Sequence, residues 1–290
     1  MHVWSKLSSE KWRDAWEERF HAVVDTSLVI TEFPNKKKIR IEAYCKTKHG
    51  AEKIQEKWGG SVRKLVNRDW VAFSPPEIRP IKIRDSFVVT PETNPKKLAD
   101  ITAENPGRQL LNIPAEMAFG TGDHATTATC LRILCDLLAQ NELPEKFSCL
   151  DLGCGTGILG IAAKKSGASH VLGVDFDSAA VRISKKNVTA NALSARSIKI
   201  IGADVLKWEP PEKFDLVYAN LFSDVLAAAF PMIRKKALAK NGRLVVSGIL
   251  QDHAPECLDA ARNAGLDVRE TRPRGKWVTA ILTHRPKTKT

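Results

Sequence analysis

No stretch of this sequence reaches the roughly 18–20 uninterrupted apolar residues that cross a bilayer as a helix, so a membrane-spanning protein is not expected. The opening residues, Met1-His2-Val3-Trp4-Ser5-Lys6, lack the apolar core of a secretory signal. Cysteine is sparse and scattered, at positions 45, 130, 135, 149, 154 and 257. No two of these form a Cys-x-x-Cys pair, which speaks against zinc, and no metal is expected. Several lie in apolar patterns, where a reduced thiol behaves as a small hydrophobe. A reducing, cytoplasmic setting is the expectation. Internal repeats and low-complexity tracts are also missing, which excludes solenoids and disordered arrays.

What is present fits an ordinary globular chain. Its 290 residues suggest one to two domains. The formal charge of +12 is unevenly placed. Residues 36–68 carry eleven Lys/Arg against three Asp/Glu, a net of +8, and residues 262–290 carry eight against two, a net of +6. The remainder therefore sums to −2. Basic ends around a near-neutral middle suggest an anionic partner met away from the active site, the alternative being a solvated surface.

Residues 1–70 read as a small α+β unit. An initial strand lies near Val3, and Ser8-Ser9-Glu10 could start a helix carrying Trp12, Ala15, Trp16 and Phe20. Strands follow at 27–32 and 39–44, then a helix over 50–58 ended by Gly59-Gly60, then a strand over 61–66. The resulting order, β-α-β-β-α-β, is ferredoxin-like. Residues 71–112 read as a linker, because six prolines break any long helix, although 81–90 could hold a strand pair. From 113 to 290 the pattern alternates. Apolar strands at 148–152, 171–175, 198–201, 216–219 and 243–249 are separated by helical stretches. The fold class is therefore α/β, with a mostly parallel Rossmann-like sheet behind the small N-terminal unit.

The central motif is Asp151-Leu152-Gly153-Cys154-Gly155-Thr156-Gly157, at the end of an apolar strand and before a helix. Gly153, Gly155 and Gly157 let backbone approach a ligand without a Cβ clash. Gly155 to Gly160 also fits G-x-G-x-x-G, a weak dinucleotide signal. Asp151, two residues ahead of the first glycine, decides between the two. A carboxylate there suits a ligand with a cationic amino-acid end and would repel a pyrophosphate. The pattern Asp-x-Gly-x-Gly-x-Gly resembles that of class I methyltransferases, whose methyl donor is S-adenosylmethionine. Asp175 ends the next strand, 22 residues after Gly153, where an acid accepts hydrogen bonds from ribose hydroxyls. Asp177 fits the cap of the following helix. Asp204, after the third strand, resembles the acid that contacts the adenine amino group in this class; otherwise it is a surface turn aspartate.

The fourth strand ends Tyr218-Ala219-Asn220-Leu221. Amino-group methyltransferases often carry Asn-Pro-Pro-Tyr or Asp-Pro-Pro-Tyr there, and the side chain can hold an amine with its lone pair aimed at the methyl. Here Leu221-Phe222-Ser223 replaces Pro-Pro-Tyr. Asn220 is the candidate acceptor-site residue, with a strand-end turn role as the alternative. Upstream lies the loop Met117-Ala118-Phe119-Gly120-Thr121-Gly122-Asp123-His124-Ala125-Thr126-Thr127, ahead of a helix expected near Ala128. His124 is a second candidate, catalytic or structural.

Taken with these motifs, that loop resembles the PrmA family, methyltransferases of the large-subunit ribosomal protein L11. The family's Ala-Phe-Gly-Thr-Gly-Thr-His-Pro-Thr-Thr is matched at eight of ten positions, with departures at Asp123 and Ala125. The likeness runs from about Ala115 to His284 and includes Gly248-Ile249-Leu250 and Trp277. The resemblance implies that Thr127, Gly153, Asp175 and Asn220 contact S-adenosylmethionine, leaving S-adenosylhomocysteine as product. It implies that the loop from Phe119 to Thr121 closes the site and that an N-terminal ferredoxin-like domain grips a ribosomal protein, with ribosomal RNA near its basic stretch. The acceptors would be lysine ε-amines and the N-terminal α-amine. A monomer is the expected state. A methyltransferase for another protein's lysines, such as that of an electron-transfer-flavoprotein β-subunit, would share the catalytic half. An RNA or small-molecule methyltransferase is the remaining alternative.

Overall fold

The computed structural model describes residues 2–9, 12, 13, 16, 20, 26–33, 37–45, 47–64, 80–114, 122 and 124–286. The chain divides into two units, Met1–Glu77 and Ile78–Thr290.

In the first unit, strands β1 (His2–Ser9), β2 (Thr26–Glu32), β3 (Lys38–Cys45) and β4 (Ser61–Lys64) form an antiparallel sheet in the order β2-β3-β1-β4. That is the strand order of the ferredoxin-like arrangement. Alternation along β3 sends Ile39, Ile41 and Ala43 into the core and leaves Lys38 and Arg40 exposed. Helix α1 (Lys48–Trp58) starts at Thr47, whose Oγ1 accepts the Gly50 N–H at 3.1 Å, and it ends at Gly59 as expected. Aromatic rings fill the covered face of the sheet. Trp4, Trp16, Phe20 and Trp58 lie 4.9–6.5 Å apart by ring centroid. Ser8 and Ser9 lie inside β1 and so do not start a helix: their pairing with Ile39 and Lys38 extends the strand. Glu10 and Ala15 lie outside the described residues.

The second unit is built on a seven-stranded sheet. Its strands are β8 (Ser148–Leu152), β9 (His170–Asp175), β10 (Ile198–Gly202), β11 (Phe214–Asn220), β12 (Leu238–Leu250), β13 (Leu266–Arg274) and β14 (Trp277–His284). Their order is β10-β9-β8-β11-β12-β14-β13. The first five are parallel, and β14 and β13 close one edge antiparallel. The last two strands are absent from the sequence reading: Arg269, Glu270, Arg272 and Arg274 dilute the apolar pattern of the edge strand β13, and β14 follows it directly with no helix between. Two apolar clusters lie against this sheet. One gathers α3 (Ala125–Ala139), α4 (Ile158–Lys165) and residues of α5 (Ser178–Ala190). The other gathers α6 (Ser223–Met232) and α7 (Ala254–Asn263).

Residues 71–112, read as a linker, need correction where they are described. Between 81 and 112 lie β5 (Ile81–Ile83), β6 (Phe87–Thr90), α2 (Pro95–Ala103) and β7 (Gln109–Asn112). The strand pair expected over 81–90 is present as β5 and β6. Pro95 opens α2 rather than breaking it, because the first helical turn needs no N–H. Phe87, Val89 and Leu111 join the core around α3 and α4. Asn191, just past α5, pairs with Asn112 like another backbone strand: its Oδ1 accepts the Asn112 N–H at 2.9 Å and its Nδ2 donates to the carbonyl at 2.6 Å.

Candidate active site

Three segments meet at the carboxyl ends of the parallel strands, where open α/β sheets bind ligands. The first is the turn after β8. Gly153, Gly155 and Gly157 have φ of +70°, +54° and +78°. These left-handed values are costly for any residue with a Cβ. At Gly153 a Cβ would also fall 2.3 Å from Leu221 Cδ2. The turn is pinned from outside. Val174 O accepts the Gly153 and Cys154 N–H groups at 2.8 and 3.0 Å. Asn187 Nδ2 donates to Thr156 O at 2.9 Å. Asp175 accepts the Gly155 N–H on Oδ2 at 2.8 Å and the Asp177 N–H on Oδ1 at 3.0 Å. Asp175 thus holds the glycine turn in shape, and each oxygen keeps a lone pair for a further donor. Asp177 caps α5 through the Ala179 N–H, as expected.

Asp151 is buried at the end of β8, with Oδ2 accepting the Gly160 N–H at 3.2 Å. Burial pushes its carboxyl up to about 7, opposed by the Gly160 N–H and reinforced by the charge of Asp175. A cation brought beside it would reverse that shift. Asp204 follows β10. Its Oδ1 caps the Leu206 N–H at 3.0 Å and its Oδ2 pairs with Lys207 at 3.4 Å, so the carboxylate is engaged in its own turn.

The second segment is the end of β11. Parallel pairing aligns Ala219 with Leu152 and so brings Asn220 level with Gly153. The third is the start of α3. This helix begins at Ala125, three residues ahead of the expected start, because His124 serves as its cap: Nδ1 accepts the Thr126 N–H at 3.4 Å. Thr126 and Thr127 therefore sit in the first turn, both buried. Thr126 Oγ1 lies 2.7 Å from His124 Nδ1 and accepts from Asn220 Nδ2 at 3.3 Å. Trp277 stands edge-on to the His124 ring at 5.3 Å. Phe119 and Thr121 lie outside the described residues.

The structure thus brings together Gly153, Gly155, Gly157, Asp151, Asp175, Asn220, His124 and Thr127. Thr126, Asn187 and Leu221 were not singled out from sequence. Their partners lie 94, 31 and 68 residues away, a separation no local pattern encodes. Thr127 Oγ1 is buried with no hydrogen-bond partner among the described residues. A buried orphan hydroxyl is costly unless something else meets it. Together with a glycine turn cleared for close approach and an acid at the next strand end, it fits a nucleoside ligand bearing a polar tail.

A mostly parallel sheet with this strand order, opened by an Asp-x-Gly-x-Gly-x-Gly turn, is the Rossmann-like fold of class I methyltransferases. The solved ribosomal protein L11 methylase of Lactobacillus delbrueckii subsp. bulgaricus superimposes with a TM-score of 0.59 over 71% of this chain and 99% of its own, at 22% identity. The family model for ribosomal protein L11 methyltransferase (PrmA) matches residues 22–285, and the chain belongs to that family. Curated relatives agree. The ribosomal protein L11 methyltransferase of Desulforapulum autotrophicum is 36% identical over 224 residues, which cover 76% of this chain and 69% of the relative. That of Methylobacillus flagellatus is 35% identical over 196 residues, 68% of this chain and 60% of the relative.

Proposed function

We propose that this protein methylates lysine ε-amino groups of ribosomal protein L11, and its N-terminal α-amine where that is presented, with S-adenosylmethionine as donor. The observation that carries the reading is Asn220, level with the glycine turn, its amide held by Thr126 while Leu221 packs on Gly153. When bound, S-adenosylmethionine supplies an electrophilic methyl group that a neutral amine lone pair can take. Gly153, Gly155 and Asp175 would hold its nucleoside, Asp151 would face its cationic amino-acid end, and Thr127 would meet it with the unpaired hydroxyl. Asp204 would stand near the base and the loop from Phe119 to Thr121 would cover it. Asn220 orients the acceptor amine, and much of the rate arises from that positioning. A lysine amine has an unperturbed pKa of about 10.4 and must shed a proton before it reacts. An apolar site lowers that value, and the proton passes to water.

The exposed part of the N-terminal sheet's second face, around Lys38 and Arg40, would meet the protein substrate. It presents Lys38, Arg40, Leu7 and Val29, a mixture of charge and apolar surface suited to a polypeptide. Nearby ribosomal RNA would answer the basic charge. The test is tritium transfer to purified L11 and to ribosomes lacking the modification, followed by intact-mass analysis. Mass increments of 14 Da multiples on L11, lost in Asn220→Ala, are the expected result. Label on RNA alone, or on no ribosomal component, would overturn the substrate assignment.

A further inference from the structure

Three groups form a short hydrogen-bonded chain at the start of α3, and the polarity of that chain can be worked out. The Thr126 backbone N–H points at His124 Nδ1 at 3.4 Å, so Nδ1 carries a lone pair and not a proton. The Thr126 hydroxyl lies 2.7 Å from the same nitrogen, so its hydrogen is directed there. Its oxygen is then left as an acceptor, and the Asn220 side chain 3.3 Å away must offer its NH2 end. A flipped amide would set Oδ1 against the hydroxyl's lone pairs. Trp277, edge-on at 5.3 Å, braces the imidazole, and Thr126 is 1% exposed, so water does not compete for its hydroxyl.

We propose that Thr126 is a positioning residue for methyl transfer, using its hydroxyl, itself oriented by His124, to fix which end of the Asn220 amide faces the acceptor amine. This rests on the reading of Asn220 given above. With Nδ2 committed to Thr126, the carbonyl Oδ1 is the end left to accept an amine hydrogen, which turns the amine's lone pair toward the methyl. A released amide can rotate and present N–H groups, which repel the amine's own hydrogens.

The experiment is a kinetic cycle on the full chain with L11 as acceptor. Thr126→Val keeps the shape and removes the hydroxyl. It is expected to lower kcat about tenfold, with KM for L11 and cofactor affinity within twofold, and Thr126→Ser should restore most of the rate. In an Asn220→Asp background both ends of the side chain are acceptors, so adding Thr126→Val should cost little more. Should Thr126→Val fail to melt cooperatively, Thr126→Cys takes its place. Parental kcat in Thr126→Val, alongside an inactive Asn220→Ala, overturns the role of Thr126 and leaves the acceptor site standing. An equal loss in both backgrounds also overturns it, since it marks a merely structural effect. Full activity in Asn220→Ala instead removes the acceptor-site reading itself.

Discussion

The two units bury their cores differently. The N-terminal unit packs Trp4, Trp16, Phe20 and Trp58 against one face of a four-stranded sheet and leaves Lys38 and Arg40 exposed. The second unit packs mostly aliphatic side chains, with a few phenylalanines among them, against its larger sheet in two clusters and keeps polar groups such as Asp151, Asp175, Thr126 and Thr127 at the strand and helix ends. A few large rings can fill a small core, and a sheet covered on one side offers the other as a surface. A sheet packed with apolar residues offers chemistry chiefly at its carboxyl edge. The small unit should therefore act through a face that tolerates single changes, and the large one through an edge that does not.

Two changes at that edge give the largest effects. Asn220→Ala should lower kcat roughly a hundredfold, the scale of a misplaced reactant, while calorimetry finds cofactor affinity little changed. Parental turnover would erase the distinction between edge and face. Gly153→Ala should act on cofactor binding. Its φ of +70° costs about 1–2 kcal/mol for a residue with a Cβ, and Leu221 must also give way. An affinity loss of roughly thirtyfold is expected by calorimetry, and unchanged binding would show that the turn does not hold the ligand.

A smaller effect should follow from charge reversal on the exposed part of the N-terminal sheet. Lys38→Glu with Arg40→Glu should raise KM for L11 roughly tenfold, the scale of a lost electrostatic steering patch. The effect should shrink as salt rises. Cofactor affinity and melting temperature should hold. A fall in kcat at saturating L11 would instead make the small unit part of the chemistry.

The same contrast governs what the sequence made legible. The glycine turn, Asp175 and Asn220 can be read from the chain because a strand end followed by a fixed spacing places them without further information. Asp175 carries more than its spacing implies, since Oδ2 braces the glycine turn through the Gly155 N–H while Oδ1 holds the Asp177 N–H ahead of α5. The Thr126 contact was hidden because it spans 94 residues. The early start of α3 was hidden because histidine is a weak cap by type and serves here through a ring nitrogen. The segment 91–112, which holds α2 and β7, was misread because its prolines were taken as breaks, although Pro95 occupies the one helical position that suits it. The edge strand β13 was missed because alternation weakened by four charged side chains no longer resembles a strand, and β14, though apolar, pairs antiparallel with β12 and β13 and so falls outside the strand-helix alternation used to find the others.

The smallest effect expected is also a pH signature. Burial raises the carboxyl of Asp151 to about 7 in the ligand-free protein. Its unfolded value is near 3.9, so the folded chain retains a proton that the unfolded chain has lost. Stability contributed by this group is therefore present below pH 4 and fades as pH climbs toward 7. A ligand that sets a cationic ammonium beside Asp151 should lower the value again and expel that proton. Cofactor affinity should accordingly rise several-fold, up to about tenfold, from pH 6 to pH 8. Calorimetry in two buffers of different ionisation enthalpy should register release of a large fraction of one proton at pH 6, falling away by pH 8. Asp151→Asn should flatten both the affinity and the proton count. A pH dependence that survives the substitution would place the cationic end of the ligand elsewhere and leave Asp151 as a brace for the Gly160 N–H alone.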